Sequence, residues 1–154
     1  MKKILFLAIA GLTLCTSCKS DDEENNGNDE MNMLVGVWKT SKQITVSGVD
    51  NTTVLDTYVP TGCYVQDYVN FKTDGTYVVT EYKSENNSCV VDSSEAGTYT
   101  YNPQTKELSI SSTGTSGSDI IKVQALTNSS LVISVNDDFD GDGINDKMTT
   151  YLYR

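Results

Sequence analysis

The sequence predicts an all-β fold, an antiparallel up-and-down barrel of about eight strands. Three observations carry that expectation. From Leu34 to Arg154 no stretch sustains apolar residues at the three-and-four spacing of a helix. Thr, Ser, Val and Tyr dominate instead, and apolar residues recur at every second position, which puts them on one face of a strand. Short turn sequences separate these runs, so neighbours in sequence pair as hairpins. Such a meander closes into a barrel or folds into a sandwich; closure is favoured because a long open sheet leaves unpaired edges, and about eight strands enclose room for side chains or one small ligand.

Residues 1–17 stand apart from that fold. Lys2 and Lys3 form a basic head, and Ile4 to Leu14 form an apolar run too short to span a bilayer, as in an export signal. From Cys18 to residue 33 the chain is charged and aperiodic, so 18–33 is expected to be an acidic, disordered tether, with the barrel domain at 34–154. The leader carries two of the 11 basic side chains and none of the 21 acidic ones, so the charge falls from −10 to −12 once it is removed. Such a surface repels phosphate backbones and argues against nucleic acid as a partner. Histidine is absent, which removes the usual neutral-pH base, the Ser-His-Asp and Cys-His arrangements and the common zinc ligand. Asp67 and Glu81 belong to a scatter of carboxylates too abundant to mark an acid–base pair, and no enzyme is expected.

Within the domain, the first strand lies in "LVGVWK", Leu34 to Lys39. Val65, Val69 and Phe71 share one face before the turn Lys72 to Thr76, whose Asp-Gly pair is a hairpin signal, and Tyr77 and Val79 continue beyond it. Leu108 with Ile110 follows the turn Asn102 to Lys106. Next come Ile121, Val123 and Ala125, then the turn Thr127 to Ser130, then Leu131, Ile133 and Val135, and last Met148, Thr150 and Leu152. Cys63 and Cys89 are an even pair in an exported chain and are expected to form a disulfide.

The loop "DFDGDGIND", Asp138 to Asp146, spaces its oxygens as a calcium loop does. Asp138, Asp140, Asp142 and Asp146 take its first, third, fifth and ninth places, Gly143 the sixth, and Ile144 offers a carbonyl at the seventh. Hard oxygen donors point to a structural Ca²⁺, with affinity near the weak, roughly 10⁻⁴–10⁻³ M range of extracellular modules. The twelfth place is Thr149 rather than glutamate, and strands, not helices, flank the loop. The other reading is a solvated hairpin whose aspartates serve solubility.

Two resemblances extend these readings. Thr16-Ser17-Cys18 resembles the end of a bacterial lipoprotein signal, which implies lipidation at Cys18 and an outer-membrane anchor. "CKSDDEE" resembles the acidic tag of Bacteroidota surface lipoproteins and implies display at the cell surface. Gly36-Val37-Trp38, Phe71 to Tyr77, Gly97 to Tyr101 and the closing "TTYLYR" together resemble the small lipocalin-like domain of such lipoproteins. That resemblance implies a tryptophan plugging one barrel end, with Arg154 lying over it unless the terminus frays. It also implies a small apolar ligand, for which Trp38, Val69, Phe71, Tyr77, Leu108, Leu131 and Ile133 are the candidate contacts. The alternative is a barrel filled by these side chains, acting as a ligand-free adhesion or assembly module. The expected partners are the membrane, through the lipid, and the ligand; the protein is read as a monomer.

Overall fold

The computed structural model describes residues 26–154; the leader, Cys18 and the first part of the expected tether lie outside them. Helix α1 (Asn26–Leu34) leads into β1 (Gly36–Val46), β2 (Val54–Tyr58), a 3₁₀ turn (Gly62–Gln66), β3 (Tyr68–Phe71) and β4 (Thr76–Glu85). There follow β5 (Ser88–Asn102), β6 (Glu107–Ser112), β7 (Asp119–Leu126), β8 (Ser130–Asp137) and β9 (Asp146–Tyr153). All pairings are antiparallel, and β9 returns to pair with β1, so β1 and β3 through β9 close an eight-stranded barrel. The hairpins expected at Lys72–Thr76, Asn102–Lys106 and Thr127–Ser130 are all present.

The tether assignment is corrected from Asn26 onward, since residues 26–34 form α1 and not a disordered segment. Its sequence, with three Asn and one Gly in nine residues, is a poor helix former, so the cause is tertiary. Met31 and Leu34 pack into the core, Glu30 pairs with Lys106 at 2.5 Å, and Tyr101 donates its hydroxyl to Glu30. Three smaller differences matter to the site. Val65 sits exposed in the 3₁₀ turn instead of sharing the face of Val69 and Phe71. β2 escaped notice in the sequence because all five of its residues are exposed and nothing alternates. A bulge between Val123 and Ala125 turns Ala125 outward and gives its inward place to Leu126.

At one end the barrel is solid. Trp38, Phe71, Tyr77, Tyr99, Tyr101, Leu108, Val123, Leu131 and Leu152 are buried there with Leu34 of α1, each large side chain contributing about 1.5–3 kcal/mol. The three tyrosines bury their rings and keep their hydroxyls bonded at the rim: Tyr77 to Ser112, Tyr99 to the Lys72 carbonyl, Tyr101 to Glu30. Gly97 permits this packing, because a Cβ there would run into the Ser111 carbonyl and stand 2.7 Å from the Tyr77 ring.

The two ends of the barrel domain lock over this plug. Trp38 Nε1 donates to the Leu34 carbonyl at 2.8 Å, and the Arg154 guanidinium lies 4.0 Å from the Trp38 ring centroid, as the resemblance implies. Arg154 also donates to the carbonyls of Met33, Val35 and Asn128, capping the C-terminal end of α1. Gly36 is the residue that makes room for it: at φ +128° it is in a region other residues avoid, and a Cβ there would lie 2.6 Å from Arg154 Nη1. Replacing Arg154 with alanine removes the stacked cation and three charged donors, and should lower unfolding stability by about 1–2 kcal/mol in a denaturant titration. A variant as stable as the parent would show that the lock is idle.

Candidate functional site

β1 is eleven residues long, but the strand beside it is not. Its Gly36–Trp38 segment pairs with β3, and its Gln43–Val46 segment pairs on the same side with β2. β3 in turn pairs with only the first half of β4, Tyr77 to Thr80, and β2 has no bond to β4 among the described residues. The barrel wall therefore opens between β2 and the far half of β4. The chain crosses that opening as the 3₁₀ turn, which two ties hold in place. The Cys63–Cys89 disulfide, expected from the sequence, pins the turn to the start of β5. A loop of this length is stabilised by about 3 kcal/mol when closed. Asp67, at the end of the turn, accepts the Tyr82 N–H of β4 at 2.7 Å.

Behind the turn lies a half-open pocket of 320 Å³. Its base is Trp38 and Leu152, with Thr40 and Gln43 rising along β1. Val69 and Val79 form one apolar wall, and Tyr58 and Tyr68 flank the entrance. Asp67 and Glu81 add two carboxylates. Partial burial pushes the Asp67 carboxyl above its ordinary pKa; the Tyr82 N–H pulls the other way, and the charge of Glu81 adds to the rise. Burial also raises the Tyr58 hydroxyl, with help from Asp67, Tyr64 and Glu81.

Of the seven residues expected to touch a ligand, only Trp38 and Val69 line this pocket. Phe71, Tyr77, Leu108 and Leu131 are spent in the solid end, and Ile133 packs against it. Strand alternation shows which residues face inward but not how far along the barrel side chains fill the space. Tyr58 and Asp67 went unrecognised as pocket residues because β2 and the 3₁₀ turn carry no periodic signal, and Glu81, on β4, because it was one carboxylate among many.

The acidic loop sits at the opposite end of the barrel from α1, between β8 and β9. Oxygens of Asp138, Asp140 and Asp146 lie within 4.8 Å of one another, while Asp142 is outside that group. Asp146 is fully buried and accepts the N–H groups of Gly48, Phe139 and Asp140, which fastens the loop to the turn after β1. Asp138 accepts from Gly141 and Gly143, Asp140 from Asp142, and Asp142 from Ile144. Backbone donors thus already offset much of the repulsion among these carboxylates. Asp138, Asp140 and Asp146 are the residues that could hold a hard ion such as Ca²⁺. The side chain of Ile144 is exposed.

A family model described as a lipocalin-like domain matches residues 34–133. No curated protein matches the chain in sequence. Similar solved structures include the bovine lipocalin allergen Bos d 2, at 17% identity and TM-score 0.44 over 80% of this chain and 73% of that one. A dog lipocalin allergen has 15% identity and TM-score 0.40, over 79% and 73%. Lobster apocrustacyanin A1 has 13% identity and TM-score 0.48, over 82% and 63%.

The Asp67 carboxyl holds its proton more tightly folded than unfolded, so its charge costs stability at neutral pH and the cost fades as pH falls through its raised pKa. Asp67→Asn keeps an acceptor for Tyr82 and removes the charge. It should melt at or slightly above the parent at pH 7, a gain under about 1 kcal/mol, with the two curves converging in acid. A lower melting temperature at pH 7 would contradict this.

Proposed function

The chain belongs to the lipocalin-like domain family, and from that premise we propose that it is a binding module, not an enzyme, whose wall pocket takes a small ligand with an apolar body. The carrying observation is the 320 Å³ pocket based on Trp38 and Leu152, at the lower end of the size range of small-molecule sites. The solid end beneath it would limit the ligand to a short one. A second reading, a module working by surface contact, draws on the apolar side chains exposed along β2 and the 3₁₀ turn: Val54, Leu55, Tyr58, Tyr64 and Val65.

The address belongs to the same proposal. With the leader removed and Cys18 lipidated, the protein would be a Bacteroidota-type lipoprotein of the outer membrane, displayed at the surface. A structural Ca²⁺ on Asp138, Asp140 and Asp146 would stiffen the hairpin between β8 and β9.

Trp38 is the only tryptophan, so its fluorescence reports on the pocket base. Titration with 1-octanol should change that signal saturably, and Val79→Phe, which fills the cavity, should weaken binding by about tenfold or more. Equal binding by the parent and Val79→Phe would favour the surface-contact reading. Millimolar calcium should stabilise the protein by about 1 kcal/mol over the chelated sample, and Cys18→Ser should move it from the membrane to the soluble fraction. Identical melting with and without calcium would remove the ion, and an unchanged membrane fraction would remove the anchor.

A further inference from the structure

The pocket is chemically lopsided. Its base and one wall are apolar, but its rim holds two carboxylates from different elements, Asp67 after the 3₁₀ turn and Glu81 on β4, and no lysine or arginine lines it. The ion pairs among the described residues lie elsewhere: Lys83 with Asp92, Lys106 with Glu30 and Lys122 with Glu107. The donors on the two rim carboxylates are neutral, the Tyr82 N–H at 2.7 Å on Asp67 and the Ser93 hydroxyl at 2.8 Å on Glu81. Each of these bonds engages one oxygen, Oδ1 of Asp67 and Oε2 of Glu81. Asp67 is partly buried and Glu81 is exposed; burial is the main cause of the upward displacement of the Asp67 pKa, and the like charge of Glu81 adds to it. Tyr58 and Tyr68 stand beside them, and aromatic faces attract cations.

We propose that the ligand is an amphipathic organic cation, an amine whose charge rests between Asp67 and Glu81 and whose apolar body lies on Trp38, Val69, Val79 and Leu152. This assignment rests on the ligand-binding reading of the same pocket. An anionic ligand, such as a fatty acid carboxylate, would bring a third negative charge to the rim and is disfavoured. The net charge of −10 adds a long-range field of the same sign, which draws cations toward the chain.

Three probes of equal chain length separate the possibilities: octylammonium, 1-octanol and octanoate, titrated calorimetrically into the mature full chain at neutral pH. Octylammonium should bind about tenfold tighter than octanol, the sum of an ion pair and a cation–aromatic contact. Octanoate should bind weakest, and added salt should narrow the spread. In the Asp67→Asn/Glu81→Gln variant, octylammonium should lose its advantage over octanol. Octanol binding the parent as tightly as octylammonium would overturn the cation assignment and leave the ligand-binding reading standing. Binding by none of the three would overturn both. The ranking in the parent decides the matter even where the double variant does not fold.

Discussion

The edge of β1 is shared between two short strands, and most of the molecule's functional character follows from that constraint. From Lys39 to Val46 β1 pairs with β9 on one side, but on the other it meets three residues of β3 and then β2. A single long strand in their place would have sealed the wall. The interruption instead leaves the far half of β4 without a strand partner on that side, and the chain must bridge the opening with backbone that is neither strand nor long helix. The disulfide and the Asp67–Tyr82 bond are what make that bridge definite. They turn a defect in the sheet into a pocket with a fixed rim.

The solid end supplies the stability that such an opening costs. There the aromatic side chains fill the barrel, α1 closes it from below, and Arg154 joins the last strand to the carbonyls of α1 and to the Trp38 ring. The two ends of the domain thus meet at one contact. Trp38 belongs to both halves, since it is fully buried in the plug and forms the base of the pocket above it. Rigidity below and access above are properties of the same side chain.

Much of this architecture was legible in the residues, for identifiable reasons. Alternation gave the strands whose one face is buried, the Asp74-Gly75 pair gave a hairpin, and two cysteines in a chain read as exported gave the disulfide. β2 and α1 were not legible. β2 is held by backbone pairing alone and buries nothing, so it leaves no pattern. α1 is held by Met31, Leu34 and the Glu30 contacts, which depend on residues some 70 positions away. The candidate site was half legible: Val69 came from alternation and Trp38 from the lipocalin-like resemblance, whereas Tyr58, Asp67 and Glu81 became pocket residues only through the break in the wall. The acidic loop was read for its charge, but its most buried member, Asp146, spends its oxygens on three backbone N–H groups. That is a structural clasp made by the protein's own backbone.

The central claim is that the break in the wall, not the hairpin tips around the barrel mouth, is where the protein meets its ligand. Backbone amide chemical shifts followed during titration with a short apolar probe test it most directly. The account predicts perturbations clustered at Tyr58, at Asp67 to Val69 and at Val79 to Glu81, with the amides of Leu108 and Leu131 in the solid end unmoved. Shifts confined to the hairpin tips at Asn86–Asn87 and 113–118, or none at saturating probe, would contradict it.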